Sequence, residues 1–105
     1  PELRNHTIET AGILNKAGVP MCICTDHPVV PEQYLPLSAG LAVRGGLDRD
    51  EALKAITIYP AQITGIADRV GSIEVGKDAD IVIFSGDPLS VCDTPDMVIV
   101  NGTVI

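Results

Sequence analysis

The stretch Pro20-Met21-Cys22-Ile23-Cys24-Thr25-Asp26-His27-Pro28 constrains this chain more than any other. It reads as a short apolar strand that ends in an acid, an imidazole and a proline. Pro20 lacks a backbone donor, so it suits the first position of such a strand or an edge. Side chains along a strand alternate between faces. Cys22, Cys24 and Asp26 therefore share one face, and Met21, Ile23 and Thr25 the other. A carboxylate at the carboxyl end of a buried strand stands where α/β enzymes place catalytic groups. Aspartate also caps loops before turns. On this local pattern both roles for Asp26 stay open.

The flanking residues place that strand in a helix–strand–helix order. From Thr7 to Ala17, Ile8, Ala11, Leu14 and Ala17 recur at three and four residues, which predicts an amphipathic helix. Lys16 suits its last turn and Gly18 its end. Helix, glycine, strand is the second half of a βαβ unit. Pro28 and Pro31 then hold a loop extended. A second helix is expected from Gln33 to Arg44, with Pro36 in its first turn and Gly45-Gly46 at its end. A third runs from Asp48 to Tyr59. Asp48 and Glu51 have capping-box spacing, and Ala52, Leu53, Ile56 and Tyr59 form its buried stripe. Pro60 stops it and starts a short turn closed by Gly65.

From Val70 the texture changes. Glycines at 71, 76, 86 and 102 punctuate β-branched runs at Ser72-Ile73-Glu74, Asp80 to Phe84 and Met97 to Val100. Asn101-Gly102 between Val98-Ile99-Val100 and Thr103-Val104-Ile105 predicts a two-residue hairpin. Gly86-Asp87-Pro88 is a further turn. The last third is thus a small β unit, whose final strand is able to pair with another. The chain shows no internal repeat and no low-complexity segment.

With 105 residues and 46% hydrophobic content, the chain is sized for one small domain. Aromatics are 3%, so the core must be aliphatic. A formal charge of -7 argues against nucleic acid and anionic membrane surfaces as partners. The cysteines are Cys22, Cys24 and Cys92. Their odd number, and the poor geometry of a bridge between strand positions two apart, favour a reduced, cytoplasmic protein with structural thiols. Nothing opens the chain as a signal segment, and no run reaches about 18 apolar residues, so a soluble protein is expected. The first residue is Pro1, which suggests a piece of a longer chain.

Asp26 and His27 form the one acid–imidazole pair at a plausible site. Neighbours on a strand face opposite ways, so Asp26 can serve as ligand or base and His27 as a rim group, or as an ordinary loop histidine. His6 stands alone near the start. Asp78 and Asp80 lack calcium-loop spacing and read as turn chemistry. Asp48-Arg49-Asp50-Glu51 is a solvated helix start. No serine lies in a nucleophile-elbow pattern, and nothing activates Cys24 toward His27.

Ala17-Gly18-Val19-Pro20 running into Thr25-Asp26-His27-Pro28, then Glu51-Ala52-Leu53 through Pro60-Ala61, then Val70-Gly71-Ser72-Ile73-Glu74-Val75-Gly76-Lys77-Asp78-Ala79-Asp80-Ile81-Val82, resembles the C-terminal part of the amidohydrolase superfamily. The likeness is greatest to its imidazolonepropionase-like branch. It implies an α/β chain comprising the last helix–strand–helix units of a (β/α)₈ barrel, residues 1–67, and part of a small β-sandwich, residues 68–105. It implies a parent enzyme that hydrolyses non-peptide C–N bonds of small molecules, of cyclic amide or amidine type, with a divalent metal, zinc by expectation. Asp26 matches the aspartate that ends barrel strand eight, binds the metal and handles the proton of the attacking water. His27 falls beside it as a candidate substrate-binding residue. Cys22 and Cys24 would line the barrel interior below. The family's H-x-H pair and later histidine or lysine ligands have no counterpart here, so this piece is expected to be inactive alone. Tyr59 stands where the family often has Asn before Pro60-Ala61. The alternative is a non-catalytic domain whose β unit drives homo-oligomeric association through unpaired edges.

Overall fold

The computed structural model describes residues 7–105, so the expectations for His6 and for the irregular opening lie outside the described residues. Among the described residues four helices come first, in the order α1 (Thr10–Lys16), α2 (Leu35–Arg44), α3 (Arg49–Ala55) and α4 (Ile58–Ile63), with a 3₁₀ turn at Glu32–Tyr34 leading into α2. Three strands follow, β1 (Ile81–Ile83), β2 (Met97–Val100) and β3 (Thr103–Val104). They form one antiparallel sheet in the order β1-β2-β3. Ile81 pairs with Ile99 and Ile83 with Met97, while Ile99 also faces Val104.

The helices obey the local signals with three differences. Asp48 caps α3 as its sequence predicts, its carboxylate accepting from the backbone N–H groups of Asp50 and Glu51. The reciprocal half of the capping box is not made. Glu51 instead accepts from the Tyr59 hydroxyl, which ties α3 to α4. The single helix expected from Asp48 to Tyr59 is also broken, at Ile56 and Thr57. Thr57 turns its hydroxyl back onto the Leu53 carbonyl at 2.7 Å. The chain then restarts as α4, with Pro60 in the first turn, where a missing N–H costs nothing. Pro60 is therefore inside the new helix and does not end the old one. Likewise α1 begins at Thr10, because the Thr7 side chain holds the preceding residues in a turn.

The predicted strand at Met21–Thr25 is not a sheet strand. It is extended, yet Ile23 N–H donates to the Ala55 carbonyl at 3.0 Å and no ladder forms along it among the described residues. A strand needs a partner ladder, and the described sheet lies elsewhere in the sequence. The alternation survives without the ladder. Met21, Ile23 and Thr25 are half-buried, while Cys22, Cys24 and Asp26 are exposed. Ser72-Ile73-Glu74 is also not a strand. Ser72, Glu74 and Lys77 bind one another in a tight turn, Lys77 Nζ donating to Ser72 Oγ at 2.6 Å and pairing with Glu74 at 2.9 Å.

The core is built of small side chains. Ala39 and Ala42 of α2, Leu47, and Ala52 of α3 are buried, and Met21, Ile23, Ile56 and Leu89 pack around them. Alanine at these positions lets α2 and α3 approach closely. Gly40 extends the same logic. A Cβ there would stand 2.7 Å from the Leu89 carbonyl oxygen, so glycine admits the segment after β1 onto α2. An alanine core buries few methylenes per residue, and each is worth only about 0.8 kcal/mol. Larger aliphatic side chains stay outside it: Val29, Ile73, Val75, Val91 and Ile105 are all more than two-thirds exposed. No helix is long and apolar enough to cross a membrane among the described residues.

Candidate active-site turn

Asp26 and His27 sit at the carboxyl end of the extended segment, where the chain reverses. The Val29 N–H donates to the Asp26 carbonyl at 2.9 Å, which closes a turn over Asp26-His27-Pro28. The His27–Pro28 peptide bond is cis. Asp26 itself has a φ of 57°, in the left-handed region that Asp tolerates better than most residues. That conformation breaks the extended direction at Asp26. It is the local reason that the acid lies at a corner and not along a strand.

The two side chains have different surroundings. Among the described residues, no hydrogen bond and no ion pair engages the Asp26 carboxylate. Its oxygens are exposed and available to a ligand. His27 is fixed: its Nδ1 accepts from the Glu32 N–H at 3.1 Å, at the start of the 3₁₀ turn. Cys22 and Cys24 are free and exposed on the same face as Asp26. In this piece they are not core residues.

The structure brings Asp26, His27 and the exposed face of the extended segment together. It does not bring in Asp78 or Asp80. Arg69 pairs with Asp78 at 2.8 Å, and the Asp80 carboxylate accepts from the Asn101 N–H at 2.8 Å, fastening the β2–β3 hairpin to the strand before it. Both are structural acids, as their turn positions predict. A cleft of about 480 Å³ lies at the opposite end of the extended segment, lined by Val19, Pro20, Met21, Tyr59 and Ile63 among others. It holds neither Asp26 nor His27. Tyr59 reaches its wall with its hydroxyl committed to Glu51, and that hydrogen bond holds the phenol pKa above its ordinary value.

A carboxylate that is exposed and unengaged suits a divalent cation as one oxygen donor. The described residues contain no group of three or more His, Cys, Asp or Glu able to hold a metal. Asp26 by itself offers one such donor, and the described residues complete no metal site around it. Sequence reasoning missed one participant in this turn, the Glu32 backbone N–H. Its signal was the acceptor histidine five residues before a proline-led turn.

Comparison with known proteins places the chain in a family. The family model described as "Amidohydrolase family" matches residues 2–105. Amidohydrolase tasK of Hapsidospora irregularis is 36% identical over 91 residues, covering 87% of this chain and 9% of the relative. The imidazolonepropionase of Thermoplasma acidophilum is 41% identical over 70 residues, covering 65% of this chain and 17% of the relative. The chain thus spans under a fifth of the length of either. Among solved structures, an amidohydrolase from Thermotoga maritima superposes with a TM-score of 0.93 at 40% identity, over 99% of this chain and 27% of that one. A Xaa-Pro dipeptidase superposes with a TM-score of 0.80 at 27% identity, over 93% of this chain and 25% of that one. With an α/β arrangement that overlays nearly whole on an amidohydrolase, and a family match along almost its full length, this chain belongs to the amidohydrolase family.

Proposed function

We propose that the chain is the C-terminal part of a metal-dependent hydrolase that cleaves non-peptide C–N bonds in small molecules, of cyclic amide or amidine type. In this reading residues 1–67 end a (β/α)₈ barrel, with the extended segment as its last strand. Residues 68–105 then belong to a composite β-sandwich. The observation that carries the reading is the free, exposed carboxylate of Asp26, held at a corner by its own backbone turn in a chain of this family.

Asp26 would be one oxygen ligand of a divalent cation, zinc by the family resemblance. Such a cation would supply Lewis acidity and lower the pKa of the attacking water when bound. With a cation in place, Asp26 would accept a proton from the attacking water and return it to the leaving nitrogen as the C–N bond breaks. Nothing else in the turn competes for those oxygens. His27 contributes at the rim, toward substrate.

The piece alone has one such corner, and a catalytic zinc site uses about three protein ligands. The 105-residue chain is therefore inactive by itself in this account. Its exposed cysteines fit a reducing, cytoplasmic setting. The test is hydrolysis of cyclic amides and amidines by the full-length protein, before and after chelation and with zinc restored. Loss on chelation and recovery with zinc support the reading. Full turnover in the chelated protein contradicts it.

One observation favours a second reading, association between copies. Val104 and Ile105 are exposed at the β3 edge, and Val82 and Ile83 are half-exposed on β1. Unpaired edges of this kind invite strand pairing. A sedimentation measurement on the 105-residue chain that shows a clean monomer excludes it.

A further inference from the structure

From the orientation of His27 we infer that it is a hydrogen-bond donor to substrate, through Nε2–H, and not a metal ligand. The inference rests on the reading of the Asp26 turn as part of a hydrolytic site. It begins with the Glu32 N–H, which donates to His27 Nδ1 at 3.1 Å. A nitrogen that accepts a hydrogen bond carries no proton, so the neutral ring bears its proton on Nε2. A protonated ring nitrogen has no lone pair for a metal, and the other nitrogen is already taken by the backbone. His27 is thereby excluded from coordination at both positions while it stays neutral and in this turn.

The remaining polar atom, Nε2–H, stands on an exposed side chain one residue from Asp26. The turn that carries it is closed on both sides, by Val29 N–H onto the Asp26 carbonyl and by Tyr34 N–H onto the Pro31 carbonyl at 3.0 Å. A donor held on such a frame suits an acceptor oxygen of the substrate, carbonyl or carboxylate. The Glu32 contact supplies the tautomer that this role needs, so the cap and the substrate contact are two ends of one ring.

Two substitutions separate these ends. His27→Asn keeps an acceptor near the Nδ1 position and lacks the reach of Nε2. His27→Gln loses the Glu32 acceptor and keeps an amide donor near the Nε2 position. In the full-length protein His27→Asn should raise KM about tenfold or more, the scale of one lost hydrogen bond to a charged or polarised acceptor. His27→Gln should recover most of that loss. Zinc content should be unchanged in both. A cap alone predicts the reverse order, with Asn like the parent and Gln impaired, and that result overturns the inference. So does a loss of zinc on either substitution.

Long-range ¹H–¹⁵N correlation on the ¹⁵N-histidine-labelled full-length protein reads the tautomer without any turnover. The His27 signals, identified by their loss in His27→Asn, should show the unprotonated nitrogen at Nδ1 when the ring is neutral. A proton on Nδ1 overturns the inference. Should the full-length protein hydrolyse no C–N bond, the functional reading fails, and the spectrum still decides the tautomer separately.

Discussion

Asp26 and Asp87 each stand in a turn that contains a proline, and their carboxylates are treated in opposite ways. Asp87 is engaged on every side. Its carboxylate accepts from the Leu89 N–H at 2.9 Å and pairs with Arg49 of α3 at 2.5 Å, and its own N–H donates to Asp93 at 2.9 Å. The Leu89 N–H first, and the Arg49 guanidinium second, hold the Asp87 carboxyl below the usual carboxylate range. Asp26 has its backbone engaged and its carboxylate free among the described residues. One acid holds structure: it fastens the segment after β1 to the helices and so seats Leu89 on the alanine core. The other is held by structure and kept available. That contrast supports the role proposed for Asp26.

The largest expected break in this comparison is catalytic. Asp26→Asn in the metal-loaded full-length protein should lower kcat by about 10²- to 10⁴-fold, the range for loss of a positioned proton carrier. Steady-state kinetics checks it. Next is Gly86→Ala, which acts on the other turn. A Cβ at Gly86 would stand 2.4 Å from the Asp93 carboxylate, the group that accepts from Asp87 N–H. The side chain must move, at about 1–3 kcal/mol by the usual cost of overpacking, readable in a denaturant titration. Turnover per folded molecule should change little.

The smallest effect is the pH dependence of the Asp87 turn. Its folded pKa is depressed, so the unfolded chain binds more protons in the acid range. The stabilisation is present above the ordinary carboxylate pKa and fades as pH falls through the lowered folded value. Asp87→Asn should flatten that part of the acid limb of a Tm-against-pH curve. Salt should weaken the effect in the parent, since both partners of the Arg49–Asp87 pair are nearly half exposed.

Much of this was legible from residue order. The cap at Asp48, the Asn101-Gly102 hairpin with both residues at positive φ, and the alternation from Met21 to Asp26 follow from local chemistry, and the structure contains them. What local chemistry does not carry is tertiary choice. The break at Ile56-Thr57 depends on α4 turning so that Tyr59 meets Glu51, and no helix propensity encodes that meeting. Arg49 read as a solvated helix start because its partner is 38 residues away. The segment from Met21 to Thr25 has strand character in sequence, yet a ladder is a property of two segments. For the site, the acid and the imidazole were visible, and the state of each was not. The Glu32 N–H on His27 and the absence of partners on Asp26 among the described residues are facts of geometry.

The central claim is that Asp26 is free because it serves chemistry and contributes nothing to holding its turn. The direct measurement is the unfolding midpoint of the metal-free full-length protein carrying Asp26→Asn, set beside the parent and Asp87→Asn. The account predicts an unchanged midpoint for Asp26→Asn and a lowered one for Asp87→Asn. A midpoint lowered by Asp26→Asn as far as by Asp87→Asn would contradict it, and would make Asp26 a structural acid like the other.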